Sequence, residues 1–281
     1  VTQPQQQQQN PPPLLLAPLI YTGLQLRQAQ DAALAPVLKR VRQLFHLQGV
    51  PVTPDQRAVM AGYLYRPLQT ARTRTYTAAT RYLHGQGVID VPPLREYRVE
   101  AVEKMLENTV DRVSVAGDPV DESNRTAPHV VEQTRKSVAR AASRHAQQPA
   151  RETVQETADE SGQEVGWARV LTGAYSCHFC AMLASRGPVY RSDKTALYRG
   201  GASAGTYHDG CDCIAVLVRK GMPWEGQDSY EALNKLWSDT GGRTSGKRAR
   251  NAFRRDWDKL VRSGGSGDYI SDSMKPPGGA Q

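Results

Sequence analysis

All four cysteines of this 281-residue chain fall within 37 residues, and that constrains its architecture more than any other feature. They read Cys177-His178-Phe179-Cys180 and, 27 residues later, His208-Asp209-Gly210-Cys211-Asp212-Cys213. A disulfide framework is dispersed through the fold it staples, whereas two knots joined by one loop belong to a single local site. A C-x-x-C knuckle lets two sulfurs converge on one ion about 2.3 Å away, and a second knot supplying His and Cys completes a tetrahedron. Structural zinc is therefore the expected cofactor. Its best quartet is Cys177, Cys180, His208 and either Cys211 or Cys213, between which spacing does not choose. Disulfides, or reduced thiols packed as small apolar groups, are the plainer alternatives. A nucleophilic reading would make Cys177, Cys180 or Cys211 the attacking group, His208 the base and Asp209 or Asp212 its orienter, but no family-specific local sequence surrounds them. His178 lies inside the knuckle and is expected to face solvent. His46, His84, His129 and His145 lie on expected helices, without partners at ligand spacing, and read as ordinary surface or interface histidines.

The rest of the chain reads as mainly α. Residues 1–23 carry five consecutive glutamines and three consecutive prolines, a composition of a disordered or extended arm. Residues 24–160 read as a helical assembly module. Its apolar residues recur at three and four from Leu24 to Leu47, from about Thr53 to Tyr82, from Leu94 to about Val115 and, as a narrow stripe, from about Ser123 to Asp159. Thr53 is the expected cap of the second helix, with Pro54 at its first position and Gln56 three residues on. That helix carries Arg57, Arg66, Arg72, Arg74 and Arg81, a stripe that reads as a solvated face. Pro149 is expected to break or kink the fourth helix. Residues 161–222 form an α+β Cys/His module whose strand candidate is Ile214–Val218. Its Gly-rich stretch from Arg199 to Gly205 is a loop lacking the G-K-[ST] of a phosphate cradle.

Residues 223–262 are a basic amphipathic helical segment and 263–281 a flexible tail. Between Arg243 and Arg262 eight cations face two acids, a local +6 within a chain of net charge +8. Arg248, Arg250, Arg254, Arg255, Lys259 and Arg262 are the candidate nucleic-acid contacts, since arginine grips phosphate bidentately. A solvated helix face or docking on an acidic protein are the alternatives. The longest wholly apolar run, Leu14 to Ile20, contains Pro18 and is far shorter than the ~20 residues that cross a bilayer, so no membrane partner is expected. A basic region before it and a small-residue cleavage site after it are both missing, so secretion is not expected either.

The chain carries Trp167-Ala168-Arg169-Val170, Cys177-x-x-Cys180-Ala181-Met182-Leu183-Ala184, Arg186-Gly187-Pro188-Val189-Tyr190 and Tyr207-His208-x-x-Cys211-x-Cys213. Together these motifs resemble the MuF-like minor capsid (head-morphogenesis) proteins of tailed bacteriophages. The resemblance covers residues 165–218 strongly, and Pro223-Trp224 with the helical tail loosely. It implies a virion protein inside the head, bound at the portal and enclosed with packaged double-stranded DNA, that assists packaging or ejection. Portal protein, and after it major capsid or scaffolding protein, are the implied partners, met first in the host cytoplasm during assembly. Proteins of this kind are also labelled capsid maturation proteases, but neither a G-x-S-x-G elbow nor an H-E-x-x-H pair is present. A zinc-containing nucleic-acid-binding protein unrelated to virions is the third reading.

Overall fold

The structure, a computed structural model, describes residues 21–115, 117–162, 164–173, 176–188, 207–241 and 245–275. It is mainly α, with helices α1 (Gly23–Gln48), α2 (Pro54–Gly85), α3 (Val99–Val110) and α4 (Pro128–Glu160) packed together as a bundle. Thr53 caps α2 with Pro54 at its first position, and Gln56 closes the box reciprocally, as the sequence implies. The bundle core is built from Val37, Val41 and Phe45 of α1, Met60, Leu64 and Leu68 of α2, Val102 and Leu106 of α3, and Val138, Ala141 and Ala142 of α4. Helix α3 is shorter than its apolar run: residues 94–98 have no regular structure, extended Arg98 is the N-cap, and the helix stops at Val110 before Ser114–Val115 pair as a strand. A two-residue pairing of β1 (Ser114–Val115) with β2 (Asp118–Pro119) leads towards α4.

Pro149 does not break α4, and the reason is local chemistry. Proline lacks the N–H that would bond the carbonyl four residues back. That carbonyl belongs to His145, and Arg72 of α2 donates to it at 2.8 Å. Thr75 does the same for the Ala146 carbonyl at 2.7 Å. Arg72 is accordingly buried, with its guanidinium 4.2 Å from the Tyr97 ring, and does not belong to a solvated arginine stripe. His145 likewise has an inward partner, the Tyr97 hydroxyl at 3.0 Å.

Strands β3 (Val165–Val170) and β4 (Ile214–Arg219) form an antiparallel hairpin pairing Val165 with Arg219 and Val170 with Ile214. A two-stranded sheet cannot cover its own faces. Here α4 covers one of them with Ala150, Val154 and Ala158, alongside Leu26 of α1 and Tyr82 of α2. The bundle helices and the hairpin therefore share one apolar cluster, while Cys180, Cys211 and Cys213 lie in a separate one with Met182, Leu183, Leu233, Phe253 and Trp257.

Short helix α5 (His178–Ala184) packs between the hairpin and a helical pair, α6 (Gln227–Thr240) and α7 (Gly246–Ser263). At the turn into α6, Gly226 has φ +99° and lies so close to Val170 that a Cβ would stand 2.5 Å from its Cγ2. The expected flexible tail from 263 differs in its first part. Residues Gly265–Tyr269 and Asp272–Met274 are 3-10 turns, Ser271 donates to Asp228 at 2.6 Å, and Met274 is buried in the hairpin core. The remainder of that tail, residues 276–281, lies outside the described residues, as does the Gln/Pro arm through residue 20.

Candidate metal centre

The two cysteine knots meet. Cys177 is the N-cap of α5 and Cys180 lies in its first turn, which aims both sulfurs at one end of the helix. The second knot is a tight turn in which Cys211 N–H donates to the His208 carbonyl at 3.2 Å. Gly210 permits that turn, with φ +79° and the Arg140 side chain packed against it. Cys213 then leads directly into β4.

His208 Nε2 stands 2.8 Å from Cys177 Sγ and 3.4 Å from Cys180 Sγ. Cys180 Sγ is 3.0 Å from Cys211 Sγ and 3.7 Å from Cys213 Sγ, with Cys211 and Cys213 2.9 Å apart. All four thiols are free. The donors make two triads sharing Cys180, one with Cys177 and His208 and one with Cys211 and Cys213, each spanning no more than 4.8 Å. Metal–sulfur bonds of about 2.3 Å in a tetrahedron put neighbouring sulfurs roughly 3.7 Å apart, so small outward shifts admit an ion. The imidazole is already oriented: His208 Nδ1 faces the Asp209 carbonyl at 3.0 Å, which leaves Nε2 as the lone-pair nitrogen towards the sulfurs.

Charge around the sulfurs supports the same reading. Cys177 is held down to about 4, chiefly by its hydrogen bond with Cys180 and then by His208, against the upward push of burial. His208 is raised in turn by Cys177. Burial drives Cys213 up, but hydrogen bonds from Cys180 and Cys211, with Arg169 and Arg151, hold it well below the ordinary thiol range. Cys211, although the Cys180 bond lowers it, is pushed up to about 12 by Cys213 and burial. Thiolates at both ends of the cluster are the form a metal ion takes.

Two arginines that sequence analysis did not single out as site residues form the wall behind the thiols. Arg151 of α4, 1% exposed, donates through Nη2 to the carbonyls of Cys211 at 2.7 Å and Cys213 at 3.1 Å. Arg169 of β3, 2% exposed, reaches Cys213 Sγ at 3.6 Å through Nη1. Both guanidiniums lie on Tyr207, 4.0 and 3.8 Å from its ring centre. Two buried cations beside four thiols match a site carrying negative charge, because an uncompensated buried charge costs several kcal/mol. The signal available for Arg169 is an arginine among the apolar residues Val165, Trp167, Ala168 and Val170, whereas Arg151 sits at ordinary helical spacing and gives none.

The carboxylates expected as catalytic orienters are engaged elsewhere. Asp209 accepts from Arg144 at 2.6 Å, and Asp212, raised to about 6 by burial, accepts from the Ser176 hydroxyl at 2.9 Å. His178 is half-buried, with Nδ1 3.7 Å from Asp258 of α7. The six expected phosphate contacts are on α7, away from the sulfurs. Arg248, Arg254, Arg255, Lys259 and Arg262 are exposed and Arg250 is half-buried. Helix α7 holds the centre from behind through Trp257, whose Nε1 donates to the Ser176 carbonyl at 2.7 Å.

A helical bundle carrying a buried Cys/His centre on a two-stranded hairpin is thus the class of protein that the fold and site define. The chain belongs to the VG15 protein family, whose model matches residues 25–240 and so includes the whole centre. A Gene 15 protein of Mycobacterium phage D29 is 35% identical over 103 residues, covering 28% of this chain and 38% of the relative. The Gene 15 protein of Mycobacterium phage L5 is 28% identical over 103 residues, covering 26% of this chain and 35% of the relative. The chain thus spans little more than a third of the length of these curated relatives, which make the family one of phage proteins. No solved structure matches the chain.

Proposed function

We propose that this chain is a minor structural protein of a tailed-phage head, of the MuF-like kind, whose Cys/His centre holds one structural zinc ion. The observation that carries the reading is the convergence of Cys177, Cys180, His208, Cys211 and Cys213 at the junction of bundle, hairpin and α5, in a chain whose family is a phage family. Borderline-soft zinc suits a donor set of thiolates and one imidazole. In that role Cys180, His208 and Cys177 are ligands, either Cys211 or Cys213 completes the tetrahedral shell, and Arg151 and Arg169 balance its charge. Zinc supplies cross-linking: it ties α5 to the start of β4, which the small apolar core of this region does not do alone. The implied partner is the portal, approached inside the assembling head, with major capsid or scaffolding protein after it. No helix among the described residues is long and apolar enough to cross a membrane. Co-expression with the portal of the same phage tests the role. Co-purification at fixed stoichiometry is expected, and separate elution of both folded proteins contradicts it.

A second reading, the capsid maturation protease, is favoured by one observation, the 2.8 Å Cys177–His208 pair, which has the spacing of a thiolate–imidazole nucleophile. The two readings exclude each other at Cys177. Cleavage of co-expressed major capsid protein that is abolished by Cys177→Ala would establish the protease; an intact capsid protein discards it.

A further inference from the structure

Helix α7 buries one face against the metal-centre region, with Ala249, Phe253 and Trp257 inside and Phe253 stacked on Trp257 and tilted against Trp237. At 100° per residue, Arg248, Arg255, Lys259 and Arg262 fall within an arc of about 60°, roughly 150° round from that buried face. All four are exposed. They form a row about 21 Å long at 1.5 Å per residue. The two acids of the helix, Asp256 and Asp258, lie at its flanks, and Asp258 is engaged by Arg254 at 3.5 Å and His178 at 3.7 Å. The row itself therefore faces solvent as four cations without an acid among them.

We propose that this row is a binding surface for the phosphate backbone of duplex DNA. The residues between the cations decide against a protein partner. Asn251, Ala252 and Ser263 occupy the rest of that face, and a protein interface is built round a core of large apolar or aromatic side chains, of which it has none. Three of the four cations are arginines, which grip phosphate through two parallel bonds. The row's length matches about six phosphate steps of one strand at 3.4 Å each. Rigid docking of α7 through Trp257 holds the row outward with its geometry fixed. This surface lies beyond residues 25–240, the part matched by the family model, and deepens the phage-head reading by giving the chain a contact with the genome it is enclosed with.

The test uses the full chain and a labelled 30-base-pair duplex of arbitrary sequence, with binding measured across a salt series. Replacing Arg248, Arg255, Lys259 and Arg262 together by Ala should make the slope of log affinity against log salt shallower by about 3 to 4, at about 0.9 per phosphate contact. The control replaces exposed Arg66, Arg74, Arg81 and Lys136 by Ala, an equal loss of charge from the bundle surface, and should leave the slope within about one. Circular dichroism of both variants checks that the helices persist. Equal loss in the two variants, or an unchanged slope in the first, overturns the assignment. If the first variant loses portal co-purification and not DNA affinity, the row is a protein-docking surface. Failure of the DNA test with portal binding intact leaves the phage-head role standing.

Discussion

Cys180 Sγ and His208 Nε2 lie 3.4 Å apart although 28 positions separate them in sequence, and Cys180 is the one residue common to both donor triads. Removing it therefore breaks both halves of the centre at once. Cys180→Ala should lower zinc affinity by more than 100-fold and melt α5 with its contacts to Trp257, read by chelator competition and tryptophan fluorescence. Cys213→Ala, which leaves Cys177, Cys180, His208 and Cys211, should retain a bound ion.

The arginine wall makes a separate prediction. Arg169→Gln keeps polarity but removes the cation beside Cys213, and substitutions just outside a metal's ligand shell cost about 10- to 100-fold in affinity. Zinc affinity should fall in that range with the ligand set unchanged in X-ray absorption. An unaltered affinity would show that Arg169 only fills space.

The Arg72–His145 contact predicts non-additivity. Arg72→Met leaves the His145 carbonyl buried without a donor, a cost of about 1–3 kcal/mol. Pro149→Ala restores the N–H that α4 lacks at that position. The Arg72→Met cost should consequently shrink by about 1 kcal/mol or more in the Pro149→Ala background, measured by urea unfolding of all four proteins. Strict additivity would contradict the carbonyl-satisfaction account of Pro149.

Protonation supplies a pH test. Burial, followed by the charges of Arg144 and Arg72, lowers His145 from its ordinary 6.5 to about 4. The unfolded chain takes up this proton before the folded one, so the stabilising contribution is complete above pH 6.5 and lost as pH falls towards 4. The loss is about 3 kcal/mol at most, at 1.36 kcal/mol per unit. Unfolding free energies at pH 7 and 5 should differ less in His145→Gln than in the parent protein. Because any ion held by the thiols would leave both proteins alike as acid protonates them, that difference isolates the imidazole.

Sequence made the helices legible wherever apolar spacing was regular and a cap was present, as at Thr53 and Gln56. The Cys/His cluster was legible because Cys and His at knuckle spacing have few other uses in so small a window. What periodicity cannot carry is a partner from elsewhere in the chain. Pro149 looked like a break because its compensating donor, Arg72, comes from another helix. Arg151 looked like an ordinary helical residue because the carbonyls it serves belong to the Cys211–Cys213 turn. The segment after Gly264 is rich in Gly, Ser and Asp, and its order comes from Asp228, which receives both Ser271 and the Asp272 amide.

Metal content bears most directly on the central claim. Protein purified without added metal and analysed by inductively coupled plasma mass spectrometry should contain about one zinc per chain. Its removal by chelator should lower the melting temperature and expose the Trp257 region. Metal-free protein with the same melting temperature, or a mass two hydrogens lighter per disulfide, would contradict the account.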